Sequence, residues 1–148
     1  EKTHPLRIET VLVNESPYVS QAVALGAGRD YVAALIYPDF HQLRAWATEH
    51  RIDAADLLRH PAVRELYAEE LRRINPLIEI KYQRVRRAAL ADREPSLENG
   101  ELTSSGKLVR KAAMGNYKSM IEALFSPYPP ANVIEVQPDP QRMVPCEA

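Results

Sequence analysis

The pattern of apolar and polar positions changes within the first part of the chain, from helical spacing to continuous apolar runs. Residues 5–15 carry leucine, isoleucine and valine at roughly helical spacing, and Pro5 suits a first helical turn. Two nearly continuous apolar runs follow, joined by a short glycine-containing segment. This order predicts a helix and then a β-hairpin with strands at 19–25 and 31–37. Because neither strand alternates, we expect helices to cover both faces of the sheet.

Three later segments also have helical spacing. Asp39 is a suitable N-cap for a helix over 39–50. An apolar stripe opposite glutamates and arginines predicts a helix over 62–74, and a third pattern predicts one over 108–125. The segment 82–90 is ambiguous, because its composition favours a helix whereas its short length equally fits a strand.

Composition narrows the class of protein. The chain has 148 residues, 45% of them hydrophobic and 26% charged, which suits one globular domain with a core. The net charge of −1 gives no broad electrostatic footprint for nucleic acid. No apolar run in the sequence is long enough to span a bilayer. Cys146 is the single cysteine, so no internal disulfide can form, as is typical of a cytosolic protein. Residues 127–148 are rich in proline, which predicts an extended or poorly ordered tail, or a linker.

The stretch with the strongest chemical signal is NGELTSSGKL, at residues 99–108. It is not a Walker loop, which has four residues between its glycines and a hydroxyl residue after its lysine. Gly100 and Gly106 are separated by five residues, and Leu108 follows Lys107.

Two interpretations of Lys107 remain from the local sequence. The simpler one is a solvated lysine ahead of a helix. The alternative starts from the small-residue tip formed by Thr103, Ser104, Ser105 and Gly106. A lysine on such a tip can reach beyond its own domain, where its compact charge suits a phosphate or a developing anion.

Other candidate sites are weaker. The four histidines form no ligand-like cluster, and the two that share a predicted helix, His41 and His50, are not spaced at i, i+3 or i+4, so no metal site is predicted. No Gly-x-Ser-x-Gly elbow is present. Trp46 is interpreted as a core residue. A basic patch is interpreted as a solvated face beside the acidic stretch 65–70, with a phosphate-bearing partner as the less favoured alternative. The patch consists of Lys81, Arg84, Arg86 and Arg87.

Two longer stretches together resemble the C-terminal small domain of the adenylate-forming enzymes, the acyl-CoA synthetase superfamily. They are IETVLVNESPYVSQAVALGAGRDYVAALIYPDF and LENGELTSSGKLVRKAAMGNYKSMIEALF. In this superfamily the lysine motif usually has the sequence Pro-Lys-Thr-x-x-Gly-Lys-Ile/Leu-x-Arg. Here Glu101 and Leu102 replace the Pro-Lys pair. The insertion at 39–80 and the sequence NGELT resemble the long-chain acyl-CoA synthetase branch of the superfamily. The motif positions that keep their residues are Thr103, Gly106, Lys107, Leu108 and Arg110.

The resemblance implies an α+β fold, with a small sheet of about three strands that includes the hairpin and is packed with helices. It implies that 82–90 is a strand. Residues 1–126 would form the domain, beginning just after the hinge of a longer protein, and residues 127–148 would be the proline-rich tail or linker.

The resemblance also implies a two-step ligation of an acid to coenzyme A. A carboxylate attacks the α-phosphate of ATP, and the coenzyme A thiol then displaces AMP. The small domain is a lid that takes one pose for each step. Lys107 would be the catalytic residue of the first step. The nucleotide and substrate loop would be Thr103, Ser104, Ser105 and Gly106, and Arg110 would support the motif.

The implied partners are a large N-terminal adenylating domain of the same chain and a fatty or other hydrophobic carboxylic acid. The full-length enzyme would use ATP with Mg²⁺ and coenzyme A, whereas the fragment alone would bind none of them tightly and would be inactive. The expected location is cytoplasmic, with peripheral membrane association as an option for the full-length protein. The alternatives are an adenylation module that passes its acyl group to a carrier protein, and a non-catalytic regulatory domain of the same fold.

Overall fold

The computed structural model describes residues 5–26, 29–53 and 56–136. Within these ranges, helices and strands mix along the chain, and three single-turn 3₁₀ helices connect them, at Leu57–Arg59, Asn75–Leu77 and Lys81–Gln83. The elements in chain order are α1 (Pro5–Glu15), β1 (Val19–Leu25), β2 (Val32–Pro38), α2 (Phe40–Glu49), α3 (Pro61–Ile74), β3 (Val85–Leu90), α4 (Arg110–Asn116), α5 (Lys118–Leu124) and β4 (Ile134–Glu135).

The strands form one mixed sheet in the order β1-β2-β3-β4. The predicted hairpin is confirmed, since β1 and β2 pair antiparallel. β2 and β3 pair in parallel, which requires a long crossover, and α2 and α3 supply it. The ambiguous segment 82–90 is a strand, as the resemblance implied, although its first residues form a 3₁₀ turn instead.

Apolar cores lie on both faces of the sheet, as the continuous apolar strands predicted. On one face, side chains such as Ala34 and Ile36 belong to a cluster with α1, α2 and α3. On the other face, Leu35 and Tyr37 belong to a cluster with α4 and α5. Trp46 is partly buried against the first cluster, in agreement with its prediction as a core residue. The sheet is therefore the central layer of the domain.

Local signals explain where α2 and α3 begin. Asp39 caps α2, because its side chain accepts a hydrogen bond of 3.1 Å from the backbone N–H of Gln42. His60 caps α3 in the same way by accepting from Ala62 over 3.1 Å. The predicted helices at 5–15, 39–50 and 62–74 are confirmed to within a residue at each end.

The prediction of one helix over 108–125 is wrong. The segment forms two short helices, α4 and α5, separated at Tyr117, whose backbone (φ −113°, ψ 28°) leaves the helical region. The Tyr117 ring is buried against the sheet edge-on to Tyr37, and its hydroxyl donates to Asp92 over 2.9 Å. Helical spacing continues across the break, so the sequence pattern does not reveal it.

The sheet has a fourth strand where about three were predicted. The sequence analysis placed Ile134–Glu135 in a proline-rich tail, but these residues pair antiparallel with β3. The backbone N–H of Val136 also donates to the Arg86 carbonyl over 2.9 Å. A strand of two residues is too short to show a period in the sequence. The rest of the predicted tail, after Val136, lies outside the described residues.

None of the helices in the described ranges has the length and hydrophobicity needed to cross a membrane.

Candidate catalytic loop

Lys107 lies in a small hairpin between β3 and α4. Leu102 and Leu108 form an antiparallel bridge at its base. The Thr103 N–H donates to the Lys107 carbonyl over 2.8 Å, and the Gly106 N–H donates to the Thr103 carbonyl over 2.9 Å. Gly106 has φ +88°, in the left-handed region that glycine adopts without strain. The tip is therefore a defined turn, which we call the lysine hairpin (residues 102–108).

The tip of the lysine hairpin points into solvent. Residues 103–107 are all exposed. No hydrogen bond or ion pair joins the Lys107 ammonium group to any residue that the structure describes. The expected exposure is confirmed, and the expected mobility of the hairpin stays a prediction. An unpaired ammonium group on an exposed turn is free to meet a ligand from outside the domain.

The hydroxyl residues of the tip do not share one task. Thr103 Oγ1 accepts a 3.0 Å hydrogen bond from the Lys107 N–H, so the threonine closes the turn itself. Ser105 Oγ lies 3.0 Å from the same Thr103 atom. Ser104 is exposed at the top of the turn. The structure thus brings the sequence-predicted loop residues together around Lys107, with Thr103 and Gly106 shaping the backbone that carries it.

Arg110, the predicted supporting residue, contacts α1 and β1 and not Lys107. Its guanidinium group forms an ion pair with Glu9 of α1 and donates over 3.2 Å to the Ala24 carbonyl of β1. Glu9 is buried and also accepts a 2.7 Å hydrogen bond from the Ala24 N–H. Burial lowers the pKa of Arg110. Arg110 therefore fixes the start of α4, directly after the hairpin, to α1 and β1.

Sequence analysis missed the role of Glu101 at the base of the hairpin. Its side chain is fully buried. One carboxylate oxygen, Oε1, accepts a 2.9 Å hydrogen bond from the Tyr37 hydroxyl, and Oε2 accepts a 2.7 Å hydrogen bond from Asn116 Nδ2. Arg93 lies 3.8 Å from Oε2. The sequence signal was only an acidic residue after an Asn-Gly turn, where solvent exposure is the normal outcome.

Tyr37 is held as a hydrogen-bond donor in this arrangement. Burial and then the hydrogen bond to Glu101 raise the pKa of Tyr37 well above its ordinary value. The hydroxyl therefore stays protonated at neutral pH and donates a hydrogen bond to the carboxylate. Burial and the hydrogen bond to Asp92 likewise raise the pKa of Tyr117.

The interpretation of the basic patch as a solvated face beside 65–70 is wrong for its arginines, which are partly buried, whereas Lys81 is exposed. Arg87 donates to Glu135 over 2.6 Å and to the carbonyls of Leu124 and Ser126. Arg86 lies over the Tyr31 ring, 4.9 Å from its centroid. Both arginines are partly buried: Arg87 connects β3 to α5 and β4, and Arg86 packs on Tyr31, directly before β2.

The two histidines with clear contacts have structural roles. His60 caps α3, and the His50 Nδ1 lies 2.9 Å from the Trp46 carbonyl while the two rings stack. Over the ranges described, no three histidine, cysteine or acidic side chains gather as metal ligands would.

Comparison with known proteins gives two consistent sequence matches. The family model of the AMP-binding enzyme C-terminal domain matches residues 1–128. Long-chain-fatty-acid–CoA ligase 1 of Cavia porcellus is 27% identical over 125 residues, which are 82% of this chain and 18% of the relative.

Solved structures with a similar fold include adenylation domains of carboxylic acid reductases. That of Segniliparus rugosus, solved with AMP and a co-purified carboxylic acid, has a TM-score of 0.66 at 22% identity, over 84% of this chain and 18% of that one. The adenylation domain from Mycobacterium chelonae has a TM-score of 0.63 at 22% identity, and the match covers 81% of this chain and 17% of that one. The predicted fold class is thereby confirmed. The chain spans less than a fifth of the length of each of these relatives.

Proposed function

Because the chain belongs to the family of AMP-binding enzyme C-terminal domains, we propose that it is the lid of an ATP-dependent acid–CoA ligase. Lys107 is the residue that the lid contributes to acyl-adenylate formation. The observation that supports this role is its ammonium group, which is exposed and unpaired among the described residues on a turn that other residues shape. A large N-terminal domain of the same polypeptide supplies the rest of the site.

The chemistry of the first step suits this side chain. A carboxylate oxygen of the acid forms a bond to the α-phosphorus of ATP, and the bond to pyrophosphate breaks as pyrophosphate leaves with the electron pair. Negative charge gathers on the α-phosphate oxygens in the transition state. An ammonium group brought to that point stabilises the transition state more than the separated reactants. Lysine serves this purpose as a compact point charge at the end of a long flexible stem.

The second step uses the other pose of the lid. The thiol of coenzyme A loses its proton to solvent, its sulfur forms a bond to the acyl carbonyl carbon, and the bond from that carbon to the AMP phosphate oxygen breaks as AMP leaves with the electron pair. Lys107 has moved away from the site by then, because it is carried by the lid as the lid changes pose. The acid is fatty or otherwise hydrophobic, a proposal supported by the similarity to the Cavia porcellus ligase.

The test is a pair of single-turnover assays on Lys107→Ala in the full-length protein. Formation of acyl-adenylate from acid, ATP and Mg²⁺ should slow by about 10²–10³-fold, the usual loss for one preorganised transition-state contact. Thioester formation from pre-made acyl-adenylate and coenzyme A should keep its normal rate. Lys111→Ala is the matched control, since Lys111 is also exposed and lies four residues later, in the first turn of α4. It should leave both rates unchanged.

The outcomes separate the alternatives. Equal loss in both steps, in a variant that melts normally, would refute the assignment of Lys107 to adenylation. No loss in either step would favour a non-catalytic domain. Supplying pre-made acyl-adenylate with a phosphopantetheinylated carrier protein in place of coenzyme A distinguishes the two acceptors, and faster transfer to the carrier would overturn the CoA assignment.

A further inference from the structure

We propose that Glu101 is a positioning residue that sets the direction in which the lysine hairpin presents Lys107. This inference rests on the proposed role of Lys107. Glu101 immediately precedes the hairpin and is fully buried. Its carbonyl also accepts a 2.8 Å hydrogen bond from the Val109 N–H, which follows the hairpin on the other side. Glu101 thus connects the two ends of the lysine hairpin at its base.

The carboxylate joins the hairpin to two other elements at once. Tyr37 comes from β2 in the middle of the sheet, and Asn116 is the last residue of α4. Asn116 Nδ2 also donates over 3.0 Å to the Asn99 carbonyl, in the turn before the hairpin. The three side chains form what we call the Glu101 cluster (Tyr37, Glu101 and Asn116). Through it, the base of the hairpin is fixed to the sheet and to α4.

A buried carboxylate at this place needs a reason. Burying a charge is unfavourable unless hydrogen bonds compensate it, and an apolar residue could fill the same volume without that cost. The carboxylate offers two acceptor oxygens, and each accepts from a different element. Such charge-assisted hydrogen bonds are shorter and more directional than neutral ones. Glu101 therefore defines a geometry that an apolar residue of equal size would leave loose.

The position of Lys107 depends on this base. The exposed tip, residues 103–107, has no side-chain hydrogen bond or ion pair to the described residues outside the hairpin. Only the base can orient it, and a small rotation there becomes a larger displacement at the lysine ammonium group. Misplacing a catalytic group by about 1 Å can reduce a rate by about 10²-fold.

The expected effect is a selective loss in the first step. The substitution Glu101→Gln keeps the shape of the side chain but leaves one acceptor oxygen where two donors arrive. In the full-length protein, acyl-adenylate formation should slow on the order of tenfold, with KM for ATP nearly unchanged. Thioester formation from pre-made acyl-adenylate should keep its rate. Tyr37→Phe removes one donor and should act in the same direction, so it serves if the Glu101 variant folds poorly.

Tyr67→Phe is the matched control. Tyr67 is also fully buried, and its hydroxyl donates one hydrogen bond of 2.7 Å, to the Tyr18 carbonyl, on the far side of the sheet from the Glu101 cluster. It should lower the melting temperature without a selective loss of adenylation. If Tyr67→Phe and Tyr37→Phe change the two steps in the same proportion, Glu101 and its partners act through stability alone and the proposal fails.

A double variant separates positioning from a direct role. With Lys107→Ala already present, Glu101→Gln should cause no further loss in adenylation, because the group it positions is gone. A further loss of about tenfold would contradict the proposal.

A second readout does not depend on activity. The amide protons of Thr103, Gly106 and Lys107 are hydrogen-bonded inside the hairpin. They should exchange with solvent about tenfold faster in Glu101→Gln than in Tyr67→Phe, and unchanged exchange would overturn the proposal. If Lys107→Ala proves harmless, the function is wrong, and exchange still decides whether Glu101 orders the hairpin.

Discussion

At the scale of single residues, the residues of the lysine motif have two kinds of task. One side chain, that of Lys107, faces solvent, and the other residues shape the backbone that carries it. Lys107 has a free ammonium group among the described residues, whereas Thr103 and Gly106 form the turn, and Arg110 ties the next helix to α1. Sequence alone finds Lys107 by its motif. It does not separate these tasks, because a threonine that binds a ligand and one that closes a turn look identical in a sequence.

Gly106→Ala tests the contribution of the turn. At φ +88° an alanine is strained, and its Cβ would meet no atom within 4 Å, so backbone strain of about 1–2 kcal/mol is the expected cost. Gly100 has φ +78° and equally open surroundings, so Gly100→Ala should lower the free energy of unfolding by a similar amount. Only Gly106→Ala should also slow acyl-adenylate formation, measured in the single-turnover assay. Equal activity of both variants would show that the shape of the tip is unimportant.

At the scale of elements, the break between α4 and α5 gives the lysine hairpin its support. Because α4 ends at Asn116, that side chain can turn back to Glu101, and Tyr117 enters the space beside Tyr37. The two short helices thus arrange partly buried polar contacts that a single straight helix would place elsewhere.

Gly115→Ala tests whether the glycine inside α4 limits the stability of that helix. Gly115 lies inside α4, has no positive φ, and an added Cβ would meet no atom within 4 Å. Alanine is favoured over glycine in a helix by about 0.5–1 kcal/mol, so the free energy of unfolding in denaturant should rise by about that amount. Adenylation should stay unchanged. A destabilised variant would mean that α4 needs the freedom of glycine next to its end at Asn116.

Elements with a clear period were predictable, and those fixed by tertiary contacts were not. The β1–β2 hairpin follows from its two apolar runs, and α1, α2 and α3 follow from helical apolar spacing and from a cap such as Asp39. The end of α4 depends on where Tyr117 packs, and β4 depends on an open edge of β3. Glu101 was not predictable because its partner Tyr37 lies 64 residues earlier in the chain.

At the scale of the whole molecule, residues 133–136, the last described part of the proline-rich segment, complete both cores. Val133 belongs to the cluster on the α4 and α5 face, while Ile134 and Val136 belong to the cluster on the opposite face. Arg87 adds polar contacts across the same edge through Glu135 and the end of α5. The segment therefore holds together the two layers between which the sheet lies, including the layer that carries α4 and the lysine hairpin.

Truncation after Ser126 should consequently destabilise the domain, although the lysine motif and α5 remain intact. It removes three buried aliphatic side chains, so the free energy of unfolding should fall by more than the about 2–5 kcal/mol expected for Ile134→Ala alone. Glu135→Ala is the control within the same strand. The Glu135 side chain is 46% exposed, and Arg87 would keep its hydrogen bonds to the Leu124 and Ser126 carbonyls, so the loss of this ion pair should cost only about 1–2 kcal/mol. Thermal and urea unfolding of the three variants measures this order. A truncated chain as stable as the full one would mean that β4 is dispensable, and that α4 and α5 alone hold their face of the sheet.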